Sequence, residues 1–310
     1  MSTAARQGGA ARSEAIAYFN RYSGRVEEER VYGGGALRFT YTSPLGSLLL
    51  FVAARRRWFS RVCGVWMRRH ASRRDIQPFI DAFGLDASEF LRRPEEFGSF
   101  NDFFIRELKP AARPIDPDPD SVVFPADGRH LGFADVSRVE AIVVKGQSFD
   151  LPALLADAAL AERHRGGAAV VSRLCPVDYH RFHFPAAGIA GAPRVLPGPL
   201  YSVSPIALRR RIGILFENKR ALTRLESERF GLVTIVEIGA TCVGSIVSTF
   251  RPQERVAKGA EKGYFQFGGS SMITLFESGR VRLDADLLEH TSQGRELFAR
   301  MGDRMGAAAG

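Results

Sequence analysis

A glycine–serine bond near the C-terminus is the first candidate for chemistry in this chain. Ser270 follows Gly269 in a Gly-Gly-Ser-Ser sequence that continues into the apolar residues 272–276. A turn between two strands is the more frequent structure for so short a sequence. A serine hydroxyl can also attack the carbonyl just before it, because glycine leaves that carbonyl uncrowded. The hydroxyl is a weak nucleophile until a base accepts its proton, so the chain would have to supply one.

Two histidines and one aspartate are candidates for that base and for the group that orients it. His180 and His183 lie in one polar segment, and histidine suits general-base work near neutral pH. Zinc ligation is the weaker alternative, because zinc takes three or four ligands and the cysteines are scattered. Asp127 precedes Gly128, where a turn is the commonest structure, but its carboxylate could equally fix a histidine tautomer. Residue types alone do not show that these side chains meet.

Composition limits what kind of protein can hold these groups. With 310 residues and a hydrophobic share of 45%, the chain is globular and has one or two domains. A formal net charge of +9 favours an anionic partner. Three widely spaced cysteines match neither a disulfide framework nor a zinc motif, which favours a reducing compartment. The apolar runs fall short of the roughly 20 residues of a membrane-spanning helix.

A proline-rich connector divides the chain into two predicted regions. Residues 1–116 are predicted to be a helical, basic region, with its first helix near residues 14–22. Residues 117–310 contain short apolar runs separated by Gly and Pro, which predict a β-rich barrel or sandwich. Helices are expected over 151–164 and in the last twenty residues. The predicted fold class is therefore α+β, with helices inserted into a compact β-rich core.

The basic, aromatic part of the first region is a candidate membrane-docking segment. No acidic residue occurs between Val31 and Arg74, and a short apolar run precedes the arginines. Two tryptophans flanked by arginines are typical of a helix that lies at an anionic lipid surface. An amphipathic helix packed on its own core is an equally good explanation, and no nucleic-acid-binding motif accompanies the charge. The candidate docking residues are Arg55, Arg56, Arg57, Trp58, Arg61 and Trp66.

The order of the motifs resembles one family, the pyruvoyl-dependent phosphatidylserine decarboxylases, from about residue 58 to about residue 281. The final Gly-Gly-Ser-Ser is similar to the branch that carries this form instead of Leu-Gly-Ser-Thr. Phe124 and Ser271 depart from the commoner family residues, serine and threonine. The matching motifs are residues 100–106, 108–110, 113–115, 125–128, 144–146, 178–183, 201–203, 218–220, 239–246 and 269–271.

The resemblance implies a self-processing triad of Asp127, His183 and Ser270. His183 would accept the Ser270 hydroxyl proton while Asp127 orients the imidazole. Attack on the Gly269 carbonyl would give an ester, and elimination would then divide the chain into residues 1–269 and 270–310, leaving a dehydroalanine that loses ammonia. Ser270 would become a covalent pyruvoyl group, the Schiff-base centre for the substrate amine, with no metal involved. His180 would assist decarboxylation or proton transfer.

The activity implied by the resemblance is decarboxylation of phosphatidylserine to phosphatidylethanolamine and CO2 in phospholipid biosynthesis. An anionic lipid substrate makes membrane docking of the basic segment the expected arrangement, at the cytoplasmic face of the cell membrane. The expected partners are that surface, the two chains of one precursor and a possible second copy, but not nucleic acid. Decarboxylation of a soluble amino acid and a non-catalytic β-barrel binding module are the alternatives. The docking segment disfavours the first, and the presence of all the processing residues disfavours the second.

Overall fold

The computed structural model describes residues 16–29, 64–138, 149–203, 205–208, 211–240, 245–267 and 270–310. Of the candidate docking residues, Arg55, Arg56, Arg57, Trp58 and Arg61 lie outside these ranges, as does Gly269. Trp66 lies within them, in a helical stretch over residues 64–67.

One large sheet dominates the described part of the chain. Its strands are β1 (Ala17–Asn20), β2 (Arg25–Glu28), β4 (Gly128–Phe133), β5 (Ala169–Leu174), β7 (Gly188–Ala190), β8 (Arg194–Leu196), β9 (Arg220–Ser227), β10 (Gly231–Ile238), β12 (Arg255–Val256), β14 (Ser270–Phe276) and β16 (Glu296–Ala299). They are ordered β12-β7-β9-β10-β14-β5-β4-β16-β1-β2, with β8 also paired to β9. The strand that begins at Ser270 therefore lies in the interior of the sheet.

Two three-stranded sheets accompany the large one. The first has the order β11-β13-β6 and the second β15-β17-β3. Their strands are β3 (Ser121–Val123), β6 (Arg181–His183), β11 (Ile246–Ser248), β13 (Glu261–Phe265), β15 (Val281–Leu283) and β17 (Arg304–Ala308).

Short helices connect and cover the strands. The α-helices are α1 (Ile76–Phe83), α2 (Phe100–Phe104), α3 (Leu151–Leu155), α4 (Ala158–Arg163), α5 (Pro205–Leu208), α6 (Ile214–Glu217) and α7 (Ala285–Ser292). The 3₁₀ helices are His70–Asp75, Ala87–Glu89, Pro94–Glu96, Pro110–Ala112 and Val136–Arg138. Within the described ranges, none of the helices is both long enough and apolar enough to cross a lipid bilayer.

Both faces of the large sheet are covered, as the alternating side chains of β14 show. In β14, Met272 and Phe276 join one apolar cluster, whereas Ile273 and Leu275 join the other. This is the pattern expected where successive side chains point to opposite faces of a strand that is covered on both sides. A third cluster, rich in phenylalanine, packs α1 and α2 against Phe267, just ahead of Ser270.

The predicted β-rich core with inserted helices is confirmed as a mixed α/β fold with one large sheet, whereas its barrel or sandwich form stays a prediction. The helical insertion over 151–164 is confirmed as α3 and α4. The helix expected near residues 14–22 is wrong, because β1 pairs in parallel with β16, a partner almost 280 residues away. The helical end is also wrong beyond α7, where β16 and β17 complete two sheets. A helical docking region is not shown by the described residues, and the boundary near residue 116 stays a prediction.

Candidate active site

Three strands bring the candidate residues to one end of the large sheet. Ser270, the first residue of β14, pairs with Leu174, the last residue of β5. Strand β4 begins beside them at Gly128, where an added Cβ would lie 2.6 Å from the Arg173 carbonyl oxygen. Because β14, β5 and β4 are antiparallel neighbours, the residues next to these three positions gather at the same edge. We call this edge the Ser270 end.

Ser270 is fully buried, and its hydroxyl oxygen has no hydrogen-bond partner within the part of the chain that the structure describes. The neighbouring hydroxyl of Ser271 donates to the Ser172 carbonyl over 3.0 Å. Leaving a buried polar atom unpaired costs about 1–3 kcal/mol, so such an atom in a folded protein calls for an explanation. A hydroxyl reserved for a reaction is one such explanation.

His183 lies in β6 and reaches the Asp127 segment through its backbone, since its N–H donates to the Pro125 carbonyl over 2.7 Å. Its ring Nδ1 is 2.9 Å from the Gly259 carbonyl oxygen. A carbonyl only accepts, so Nδ1 carries the hydrogen and Nε2 keeps its lone pair. That Nε2 is buried without a partner. Burial also lowers the pKa of His183, which keeps the ring neutral and its Nε2 lone pair unprotonated at neutral pH.

Asp127 is engaged by other groups than the histidine. Arg113 holds its carboxylate with both Nε and NH2, at 2.9 and 2.6 Å, and the Met301 N–H donates to it over 2.8 Å. Among the described residues, no hydrogen bond joins Asp127, His183 and Ser270 to one another. The Gly259 carbonyl occupies the orienting position that the resemblance gives to Asp127, whose negative charge still favours a protonated His183.

His180 has the opposite tautomer. Its Nε2 is 2.9 Å from the Cys175 carbonyl oxygen, so Nε2 carries the hydrogen and Nδ1 has a free lone pair. The ring stacks on Phe104, with centroids 3.8 Å apart and planes inclined by 21°. Burial, followed by the charge of Arg106, lowers the pKa of His180 to about 3. Both histidines therefore present one unprotonated nitrogen inside the protein.

A buried ion pair fixes the loop that holds His180. Arg129 NH1 lies 2.6 Å from both oxygens of Asp178. Asp178 accepts the Cys175 N–H over 2.6 Å, and the carbonyl of Cys175 accepts from His180. This chain of contacts runs from Arg129 to His180 and fixes the tautomer of the histidine.

The pair belongs to a wider network that sequence reasoning missed. Arg173 and Arg129 share Glu29 from the N-terminal hairpin, and Arg173 also contacts Glu296 in β16. The paired residues lie up to 144 positions apart, so no local pattern points to them. We call Arg129, Asp178, Arg173, Glu29 and Glu296 the closed network.

The segment that leads to Ser270 is held by α2. The Phe267 N–H donates to the Asn101 side-chain oxygen over 3.1 Å. The Phe267 ring packs edge-on against Phe100 and Phe104, with centroids 5.5 and 5.1 Å away. The motif over residues 100–106 was the available signal, since it pointed to this helix without showing what the helix contacts.

A second buried pair lies on the same side of β14 as Ser270. Lys262 Nζ is 2.7 Å from a Glu237 oxygen, and neither side chain is exposed. Glu237 stands opposite Met272, two residues after Ser270. Phe182, Phe184 and Phe250 surround the ammonium group at 5.5, 6.0 and 5.3 Å. Nothing in the sequence pattern paired these two residues.

The described residues contain no group of three or more His, Cys, Asp or Glu arranged to hold a metal ion. The zinc alternative for the histidine pair therefore has no support from the geometry.

A buried serine hydroxyl and two neutral histidines, each with an unpartnered atom, define candidates for hydroxyl and proton-transfer chemistry in a mixed α/β protein. A family model described as phosphatidylserine decarboxylase matches residues 100–307. The chain is 46% identical over 294 residues to the phosphatidylserine decarboxylase proenzyme of Chlamydia muridarum (strain MoPn / Nigg), covering 95% of this chain and 98% of the relative. It is 40% identical over 291 residues to the proenzyme of the same name from Desulfitobacterium hafniense (strain Y51), covering 94% and 98%. The chain belongs to the phosphatidylserine decarboxylase family.

Proposed function

We propose that this protein decarboxylates phosphatidylserine to phosphatidylethanolamine and CO2, after cleaving its own Gly269–Ser270 bond. The observation that carries the proposal is the buried, unpartnered Ser270 hydroxyl at an edge that also holds two unprotonated histidine nitrogens. Family membership supplies the substrate class, and the relatives are named proenzymes, which fits cleavage of a precursor.

The surroundings of Ser270 fit a pyruvoyl group derived from it. Ser270 begins an interior strand and is shielded from water, so a reactive carbonyl made there would be protected. Such a group supplies an electron sink for the charge left behind when CO2 departs. The protein itself must position the substrate, exclude water and move protons.

His183 is the proposed base for self-cleavage. Its Nε2 lone pair is free to accept the Ser270 Oγ proton once the two atoms come within hydrogen-bond distance. The Gly259 carbonyl holds the Nδ1 hydrogen and so selects the tautomer that leaves Nε2 basic. Asp127 acts by charge, favouring the protonated imidazole that forms.

His180 is the proposed proton carrier for decarboxylation. Its Nδ1 has no partner and can carry the proton that carbon takes up after CO2 departs. Because the pKa of the ring is lowered, the protonated ring gives that proton up readily. The stacked Phe104 and the bond to Cys175 keep Nδ1 in one place during the transfer.

A peripheral position on the membrane is part of the proposal. Val65 and Trp66 are 46% and 45% exposed, beside Arg68 and Arg69, a combination suited to an anionic interface. Arg68 also bonds to Gln266, in the segment that leads to Ser270, over 3.3 Å. Docking through this helix would therefore bring the lipid surface to the side of the protein that holds the Ser270 end. The cytoplasmic face and a homodimer remain predictions from the family resemblance.

The central experiment measures the mass of purified protein and CO2 release in parallel. We expect two fragments, residues 1–269 and a smaller one beginning at a modified residue 270, and CO2 release from phosphatidylserine vesicles. Ser270→Ala should stay intact, whereas Ser271→Ala is the matched control, because Ser271 Oγ already has a partner. An uncleaved wild-type chain would refute the proposal, and release from free serine but not from the lipid would favour the soluble-substrate alternative.

Vesicle sedimentation tests the docking helix separately. Trp66→Ala should weaken binding to vesicles that contain phosphatidylserine at low salt. Ile189→Ala is the control, because Ile189 is an exposed apolar side chain of similar accessibility in β7. Equal binding by both variants would show that Trp66 packs on the protein and not on lipid.

A further inference from the structure

Arg106 is a buried arginine with most of its hydrogen-bonding capacity unused. The residue is only 4% exposed, and its guanidinium lies over the rings of Phe90 and Phe103, 5.1 and 4.9 Å from their centroids. One nitrogen, NH2, reaches the carbonyls of Val177 and Asp178, each at 3.3 Å. The other two, Nε and NH1, are buried without any partner.

Among the described residues, no carboxylate is left unpaired to balance this charge. The two acidic groups whose charges act on Arg106 are Asp127 and Asp178, and each is already held by another arginine. Arg113 lies 2.6 Å from Asp127, and Arg129 lies 2.6 Å from Asp178. Burial lowers the pKa of Arg106 to about 10, so the group is still a cation at neutral pH. A buried cation without a counter-charge destabilises a fold, and it persists where a function requires it.

The location of Arg106 connects it to the Ser270 end. The carbonyls that it reaches belong to the loop between Cys175 and His180. Its positive charge is one of the causes that lower the pKa of His180. Phe103, which lies under the guanidinium, is followed by Phe104, which stacks on His180. Arg106 is therefore a free cation beside the proposed proton carrier.

We propose that Arg106 binds an oxyanion of the substrate headgroup; the proposal rests on the function proposed above. Phosphatidylserine carries two such groups, a phosphodiester and a carboxylate, and the free Nε and NH1 donors of the guanidinium can give charge-assisted hydrogen bonds to either. The phosphodiester is the better candidate, because a cation on the departing carboxylate would stabilise the ground state more than the transition state. Arg106 then acts as a substrate-positioning residue that sets the reacting carbon against His180.

Steady-state kinetics of self-cleaved Arg106→Met test this assignment. We expect the KM for phosphatidylserine to rise about ten- to a hundredfold, the range for losing hydrogen bonds to a charged group, with partial recovery in Arg106→Lys. Arg163→Met is the matched control, because Arg163 is an exposed arginine paired with Glu277. An unchanged KM in Arg106→Met would overturn the proposal.

Product inhibition distinguishes the two oxyanions. Phosphatidylethanolamine keeps the phosphodiester and lacks the carboxylate. If Arg106 holds the phosphodiester, Arg106→Met raises the inhibition constant of phosphatidylethanolamine by the same factor as the KM. If Arg106 holds the carboxylate, the KM rises and the inhibition constant stays unchanged. Both results support an oxyanion site, and they differ in which group occupies it.

Thermal unfolding separates a binding role from a structural one. In the uncleaved Ser270→Ala background, removing an unpaired buried charge should leave the unfolding temperature unchanged or raise it. A clear fall in that temperature, together with a wild-type KM in the molecules that self-cleave, would show that Arg106 only supports the fold. Should Arg106→Met fail to fold, Arg106→Lys, which keeps the charge but loses the Nε and NH1 donors, carries the same comparison of KM and inhibition constant. A wild-type protein inactive on phosphatidylserine would instead defeat the proposed function.

Discussion

Two groups of buried polar side chains lie at the Ser270 end, and they differ in how their side chains are paired. In the closed network, Arg129, Asp178, Arg173, Glu29 and Glu296 pair with one another at short distances. In the reactive group, each side chain keeps at least one buried atom without a partner. The members of that group are Ser270, His183, His180 and Arg106. Both regions are buried, so exposure to water does not separate them. In the closed network each charged group faces an opposite charge, and Arg129 Nε, which has no hydrogen bond, still lies 3.6 Å from Glu29.

The contrast shows how a fold can keep reactive atoms free. Flexible side chains would rotate until their unpaired donors and acceptors formed hydrogen bonds. The reactive atoms would then no longer be available for reaction. The closed network prevents this for His180, because Asp178 fixes the peptide of Cys175 that holds the ring. A buried network in which every charge faces an opposite charge is rigid, and this rigidity holds a neighbouring unpaired atom in position.

Removing a member of the reactive group that takes part in self-cleavage should have the largest effect. Ser270→Ala and His183→Ala should both remain full-length chains on a denaturing gel, since one lacks the nucleophile and the other its base. Their unfolding temperatures should stay close to that of an uncleaved precursor. Normal fragments from His183→Ala would contradict its role as the base.

His180→Ala should separate the two reactions of the site. We expect normal fragments on a gel but a loss of about 10²–10⁴-fold in CO2 release from phosphatidylserine, the range for removing a general acid–base group. Full activity would remove His180 from the mechanism, and failed cleavage would place it in processing instead.

A change in the closed network should act first on stability. Asp178→Asn leaves Arg129 as a buried, partly unpaired cation, and we expect the free energy of unfolding to fall by about 3–5 kcal/mol. Urea titration of the variant in the Ser270→Ala background would measure this. Glu228→Gln, which alters an exposed pair with Arg255, should leave stability unchanged. Equal effects in the two variants would abolish the distinction between the regions.

Acid should weaken the fold through its buried histidines. Burial lowers the pKa values of His130 and His180 to about 3, far below the unfolded value near 6.5. Between these values the unfolded chain binds more protons, so stability falls as the pH drops below about 6.5. Each such histidine adds a slope of about 1.4 kcal/mol per pH unit. Urea titrations of Ser270→Ala and of Ser270→Ala with His130→Asn from pH 7 to 5 should show a smaller slope in the second protein.

Local patterns were enough to predict part of this arrangement. The apolar run after Ser270 predicted β14, and the residues over 151–164 predicted α3 and α4. Motif order also placed Asp127, both histidines and Ser270 in one candidate site. The structure adds that β14, β5 and β4 begin or end together, at the Ser270 end of the large sheet.

The remaining features depend on contacts that no short pattern encodes. The partner of the His183 Nδ1 hydrogen is a backbone carbonyl at Gly259, and any residue type supplies a carbonyl. Arg106 has no paired carboxylate because Asp127 and Asp178 already pair with two other arginines. Strand β1 pairs with β16 through its backbone, so its extended conformation depends on residues near the C-terminus of the sequence.

The strands after residue 270 are interleaved with those before it: β14 lies between β10 and β5, and β16 lies between β4 and β1. Cutting the Gly269–Ser270 bond would leave these strands paired. The large sheet would then consist of strands from two separate chains. The precursor folds as one chain at a rate independent of concentration, whereas the cut protein, once unfolded, must find its other part by diffusion. After self-cleavage, an unfolded protein would regain its native state only by a second-order association of two chains, although the precursor had reached that state in a first-order reaction.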